Sequence, residues 1–206
     1  SAYGTMANAN GGGSMAFGAG SLATGLGSIA HGVNSTAAAT NAVVFGTEAG
    51  ALGEDATAIG YSAVALGVDS TAIGKSSSAS KVNATALGAE SKATGISSTA
   101  LGDAANASAL QAIAIGASAR SSDQNSIAIG FSANASANDS IAIGYQSNSK
   151  YANSTAIGAG SATNRADQIM FGKAATEVTV ANLANGSQAG NAIVTANADG
   201  TLSRYE

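Results

Sequence analysis

Along the chain, small and large apolar positions alternate within short stretches, and the stretches recur every fourteen residues. One glycine column fixes the register: Gly4, Gly18, Gly32, Gly46, Gly60, Gly74, Gly88, Gly102, Gly116, Gly130, Gly144, Gly158 and Gly172. Thirteen glycines in one unbroken spacing are not compositional chance. The residue before each glycine is mostly large and apolar: Tyr3, Phe17, Phe45, Ile59, Ile73, Leu87, Leu101, Ile115, Ile129, Ile143, Ile157 and Phe171, with His31 the outlier. Two before it stands Ala in all units except those with Val44 and Met170. Three before it come Thr57, Thr71, Thr85 and Thr99, or Ile113, Ile127 and Ile141, β-branched residues that suit a strand. Period-two alternation over so short a run predicts a β-strand that ends at each glycine.

The second half of each unit has its own rule. The third position after the glycine is Ala or Ser, and the fifth is nearly always Ala, as in Ala51, Ala65, Ala79 and Ala93. A second, weaker strand is predicted there. Gly25, Gly53, Gly67 and Gly95, seven residues after the main glycine, predict a sharp turn with positive φ. Asn or Asp five residues before it (Asn41, Asp55, Asp69, Asn83, Asn125, Asp139, Asn153, Asp167) predicts the other corner, because these side chains bond their own backbone and tolerate the left-handed region. Two strands and two corners make one coil of an all-β solenoid, and no 3.6-residue stripe argues for helix.

Strand side chains alternate faces, so the Ala column and the flanking large column point in opposite directions. A fourteen-residue coil is narrow, which places Ala and Ser inside and the Ile, Leu and Phe column outside; the opposite assignment holds if the coil is flatter. At about 4.8 Å per coil the outer column draws an apolar stripe about 60 Å long, more than a soluble monomer ordinarily exposes. Self-association is the expected cover, with Ile115, Ile129, Ile143 and Ile157 at or near the subunit interface.

Composition narrows the chemistry. The 206 residues include 27 Gly and no Cys, Pro or Trp, and Ala carries most of the 45% hydrophobic fraction. No disulfide, thiol nucleophile or thiolate metal site is available, and a single His leaves no multi-histidine zinc site. Eight Lys+Arg against twelve Asp+Glu, a net charge of −4, predict no nucleic-acid partner. With no long apolar run, no direct membrane insertion is expected, and any export signal or anchor is expected outside these residues. Neither paired carboxylates nor a nucleophile beside a base stands out, so no enzyme, catalytic residue, cofactor or metal is expected. Gly74-Lys75-Ser76 lacks the earlier glycine of a phosphate-binding loop, Asp69 standing there. The Asp corners lack the calcium-roll pattern and read as turn chemistry. His31 reads as a packed variant of its column, and the Asn-x-Ser/Thr triplets as corner residues rather than glycosylation sites. Phe131 and Tyr145, which follow successive glycines, and Tyr151, seven beyond Gly144, form an expected exposed aromatic cluster and candidate adhesive surface.

The segments Asn125-Ser126-Ile127-Ala128-Ile129-Gly130 and Asp139-Ser140-Ile141-Ala142-Ile143-Gly144 resemble the head repeat of YadA-like trimeric autotransporter adhesins. Ser70-Thr71-Ala72-Ile73-Gly74 and Ser154-Thr155-Ala156-Ile157-Gly158 fit the same pattern. The resemblance covers residues 1–172 and implies a left-handed parallel β-roll, against the right-handed rule for ordinary crossovers. It further implies a homotrimer at the tip of a stalk on the outer membrane of a Gram-negative bacterium. Its implied partners are host extracellular matrix proteins (collagen, fibronectin, laminin) or other surfaces, bound without enzymatic activity. After Gly172 the register stops, and Asn182-Leu183-Ala184-Asn185-Gly186 resembles the neck that ends such heads. Residues 173–206 are therefore expected to form a neck-like or connector segment, whose last part reads as two short strands around Asp199-Gly200. An ice-binding solenoid is the rival reading, disfavoured because its Thr column is interrupted by Ile; a phage-fibre or spacer module shares the trimeric architecture.

Overall fold

Each fourteen-residue unit closes into one coil whose backbone groups are satisfied by the coils before and after it. The computed structural model describes residues 1–173 and the strands Val194–Ala196 and Leu202–Arg204. The chain divides into two compact units, Ser1–Thr176 and Glu177–Glu206. In the first, strands such as Thr57–Ile59, Thr71–Ile73 and Thr85–Leu87 end at the residue before each main glycine and stack into a 13-stranded parallel sheet. The shorter strands, such as Val64–Ala65 and Ser78–Ala79, stack into an 11-stranded sheet. Register between coils is fourteen residues throughout, as in Thr71↔Thr85, Ala72↔Ala86 and Ile73↔Leu87. The parallel solenoid therefore follows the sequence period, and every residue stacks on its equivalent in the next coil.

The narrow-coil argument holds. Ala58, Ala72, Ala86, Ala100 and Ala114 of the longer strands, and Ala51, Ala65, Ala79 and Ala93 of the shorter ones, are fully buried between the two sheets. Ala is favoured because the sheets are too close for a larger side chain, and Val44 is the largest side chain enclosed. Ser shares the interior where a backbone carbonyl is in reach: Ser70 donates to Gly67 O at 2.6 Å and Ser28 to Gly25 O at 2.8 Å. Toward the C-terminal end hydroxyls meet across the core, Ser121 with Ser126 at 2.6 Å and Ser149 with Ser154 at 2.7 Å. Ser70→Ala should change stability by no more than about 1 kcal/mol. The Gly67 carbonyl keeps the Ser70 amide at 3.3 Å, and Ala56 and Ala84 already occupy the equivalent place. Ser70→Val should be clearly worse, by about 1–3 kcal/mol, because the coil cannot widen. Thermal unfolding of the two variants checks the ordering.

Both corners turn through the left-handed region. Asn41, Asp55, Asp69, Asn83, Asn125, Asp139, Asn153 and Asp167 all take positive φ, as their residue types predict. Their side chains also form rungs between coils, Asn41 donating to Asp55 at 2.9 Å and Asn125 to Asp139 at 2.8 Å. The other corner was placed wrongly by the sequence. Gly25, Gly53, Gly67 and Gly95 do not have positive φ; a Cβ there would sit 1.8–2.0 Å from a carbonyl oxygen of the following coil. Close stacking of backbones, not turn geometry, selects glycine at these places. The second left-handed residue instead lies two after the main glycine, and includes Glu48, Ser62, Glu90, Ala104 and Gln146.

In the second unit, Val194–Ala196 pairs antiparallel with Leu202–Arg204, in agreement with the two expected strands. The neck resemblance at Asn182–Gly186 lies outside the described residues.

Candidate adhesive surface

With the interior filled mostly by methyl groups and hydroxyls, most large side chains of the roll are displayed outward, Gln168 being a buried exception. Three outer columns matter. The first is the residue before each main glycine, at the end of the longer strand. Ile115, Ile129 and Ile157 are half-exposed there and Ile143 is exposed, aligned by the register Ile115↔Ile129↔Ile143↔Ile157. At the N-terminal end the same column becomes aromatic, with Tyr3 stacked on Phe17 at 5.1 Å and His31 standing 5.9 Å from Phe17 and 5.4 Å from Phe45. His31 is thus a ring in a ladder. With Tyr3, Phe17 and Val33 it lines a shallow groove floored by Gly18, Gly32 and Gly46.

The second column follows the main glycine at the first corner. Phe131 and Tyr145 stack there with centroids 5.6 Å apart and planes 11° apart, and are 50% and 55% exposed. Tyr151, also exposed, belongs to the opposite corner: the strand Asn148–Ser149 separates it from Tyr145, and it makes no ring contact among the described residues. The expected cluster of three rings is therefore a pair, because positions one and seven after the glycine fall at the two ends of the shorter strand.

The third column was missed in the sequence. Val68, Val82, Ile96 and Leu110, eight after the main glycine, occupy the second corner of four successive coils and are 41–49% exposed. Thr40 and Glu54 precede them and Gln124 and Asn138 follow. A signal existed, in the run of β-branched and Leu residues at one repeat position, but it emerges only when that position is known to face outward.

None of this resembles a catalytic site. Among the described residues no group of three or more His, Cys, Asp or Glu is placed to hold a metal ion, and the second groove, lined by Ser76, Glu90, Lys92, Ala104 and Asn106, is open and polar. No helix is long and apolar enough to cross a membrane among the described residues.

A stack of near-identical coils with a small-residue interior and large side chains outside defines a β-solenoid repeat protein. The sequence model of the YadA head domain repeat matches residues 23–49, 51–77, 65–91, 79–103, 93–119, 121–147 and 139–161, about two thirds of the chain, which belongs to that family. Membership carries an adhesin-type role and no enzymatic one. The chain is also similar to the collagen-binding domain of the Yersinia adhesin YadA, with 28% identity and a TM-score of 0.47 over 87% of this chain and 83% of that one. No curated protein matches it.

Proposed function

We propose that this chain is the head of a trimeric surface adhesin. In this reading it stands on the outer membrane of a Gram-negative bacterium and binds host extracellular matrix proteins, collagen first and fibronectin and laminin as further targets. Three chains pack through the apolar column of Ile115, Ile129, Ile143 and Ile157, and residues 173–206 form the neck-like connector beyond the roll. Family membership supports the adhesive role. The observation that carries the mechanism is the repeated display of the same outward positions along the stack. Three chains multiply each such position again, and linked weak contacts raise avidity without a strong individual site. Phe131, Tyr145 and Tyr151 are the candidate anchors, the first two as one stacked pair and the third as a separate contact at the other corner.

Retention of the purified head on immobilised matrix proteins tests this. Replacing Phe131 and Tyr145 by Ser should reduce retention partially, and removing whole fourteen-residue coils should reduce it in steps. Coil deletion keeps the register, since each coil pairs identically with its neighbours. An all-or-none loss on altering one coil would indicate a single discrete pocket. No retention on any matrix protein would favour the spacer or phage-fibre reading.

A further inference from the structure

A three-membered ring needs two different faces on every chain, because a cyclic contact joins one patch of a subunit to another patch of the next. The apolar column before the main glycines supplies one. The four-coil column of Val68, Val82, Ile96 and Leu110 supplies a second at overlapping heights of the stack, with exposed Leu52 and Leu66 beside it. The corner itself does not require an apolar residue, since the same position in the flanking coils is polar, with Thr40 and Glu54 before the run and Gln124 and Asn138 after it.

Charge supports the pairing of these faces. If the three-fold axis runs along the stack, rotation moves nothing along it, so each coil meets the same coil of its neighbour. In the coil of Gly74 the second corner carries Asp69 and the first corner Lys75; in the coil of Gly88 they carry Lys81 and Glu90. Both coils oppose unlike charges, in reversed order. All four side chains are exposed and have no ion-pair partner within the described chain.

We propose that, over the coils of Gly74 to Gly116 only, the first-corner edge of one chain packs on the second-corner edge of the next, with Lys75 facing Asp69 and Glu90 facing Lys81 across each contact and Val68, Val82, Ile96 and Leu110 covered between them, while the corners that carry Phe131, Tyr145 and Tyr151 in later coils stay open. The inference rests on the trimeric reading and adds the face and the register. The apolar residues supply the contact, and the two oppositely ordered ion pairs fix which coil meets which, since a slip of one coil brings Lys75 toward Lys81 and Asp69 away from its partner. Exposed ion pairs contribute more to register and partner choice than to affinity.

The test uses the full chain. Asp69→Lys and Lys75→Asp should each weaken trimer association by about 10- to 100-fold, because one substitution acts at three contacts although a single exposed pair is worth less than tenfold. The double swap should restore most of the loss. In parallel, Asp69→Cys and Lys75→Cys in this Cys-free chain, treated with a short bifunctional thiol reagent, should give covalent species that stop at three chains. Within one chain the two positions lie at opposite corners of a coil, separated by the strand Thr71–Ile73, and a reagent shorter than that strand does not join them. A trimer in which the double swap is no better than the single variants, or in which the reagent joins no chains, overturns the proposed face. Covalent ladders beyond three chains overturn ring closure. A monomeric unmodified chain in sedimentation overturns the trimeric reading itself, and the proposal with it.

Discussion

Ile129→Asp is expected to turn the assembled head into dissociated chains at micromolar concentration, with the variant sedimenting at a third of the mass of the unmodified protein. Ile129 lies in register with Ile115 and Ile143, so the substitution interrupts the middle of a continuous apolar column. Burial of one such side chain contributes about 1.5–3 kcal/mol. Loss of that contribution is only part of the effect, because in the proposed trimer the variant also places a carboxylate from each of three chains in a desolvated contact, at a cost of several kcal/mol. The inner face is untouched: Ala128, which points into the coil, stays fully buried, and the strand Ile127–Ile129 keeps its backbone pairing. Ile129→Leu is the matching control and should assemble normally. A variant that remains trimeric would remove this column from the interface.

Gly88→Ala should strongly destabilise the roll. Gly88 has φ +134°, where an L side chain is strained, and its added Cβ would lie 2.4 Å from the carbonyl oxygen of Gly102. Backbone strain of roughly 1–2 kcal/mol and overpacking of roughly 1–3 kcal/mol act together. On a chain of this length that corresponds to a midpoint lowered by about 5–15 °C. The effect should spread, because the coils are stacked in register and a coil that tilts loses bonds to both neighbours. Gly50 is the contrast. It lies in the shorter sheet, in register with Thr36 and Val64, and the nearest atom to an added Cβ is 4.0 Å away. Gly50→Thr should leave the midpoint unchanged or raise it slightly, through a less flexible unfolded chain. Thermal melts of the two variants in one buffer decide the matter, and equal destabilisation would show that coil spacing does not set the tolerance.

Much of the architecture was legible because a solenoid maps sequence period directly onto space. Once Gly74 and Gly88 are known to be one coil apart, Thr71 stacks on Thr85 and Ala72 on Ala86, and the inner and outer faces follow from strand alternation. The candidate surface was less legible. Phe131 and Tyr145 are equivalent positions in adjacent coils and had to stack, whereas Tyr151 could be placed relative to them only when the course of the shorter strand was known. The column of Val68, Val82, Ile96 and Leu110 was hidden for a related reason: apolar residues at a corner read as inner or outer depending on how the turn is bent.

The sequence by itself determined the fourteen-residue coil, the parallel register, the methyl-lined interior and the Asn and Asp corner, because each depends on a residue type repeated at a fixed spacing. Only the tertiary structure decided the other corner. Ala104, Glu90 and Gln146 take positive φ there with no preference of their own for it. At roughly 1–2 kcal/mol each, that conformation is held by the backbone bonds around it: the Glu90 amide to Lys75 O at 2.8 Å, the Ala104 amide to Ala89 O at 2.8 Å and the Gln146 amide to Phe131 O at 2.9 Å. Gly53 and Gly67 were selected for the opposite reason, the close approach of the next coil at an ordinary φ. A closed coil must turn twice whatever its residues prefer, so the stack imposes the second turn and the local sequence only accommodates it.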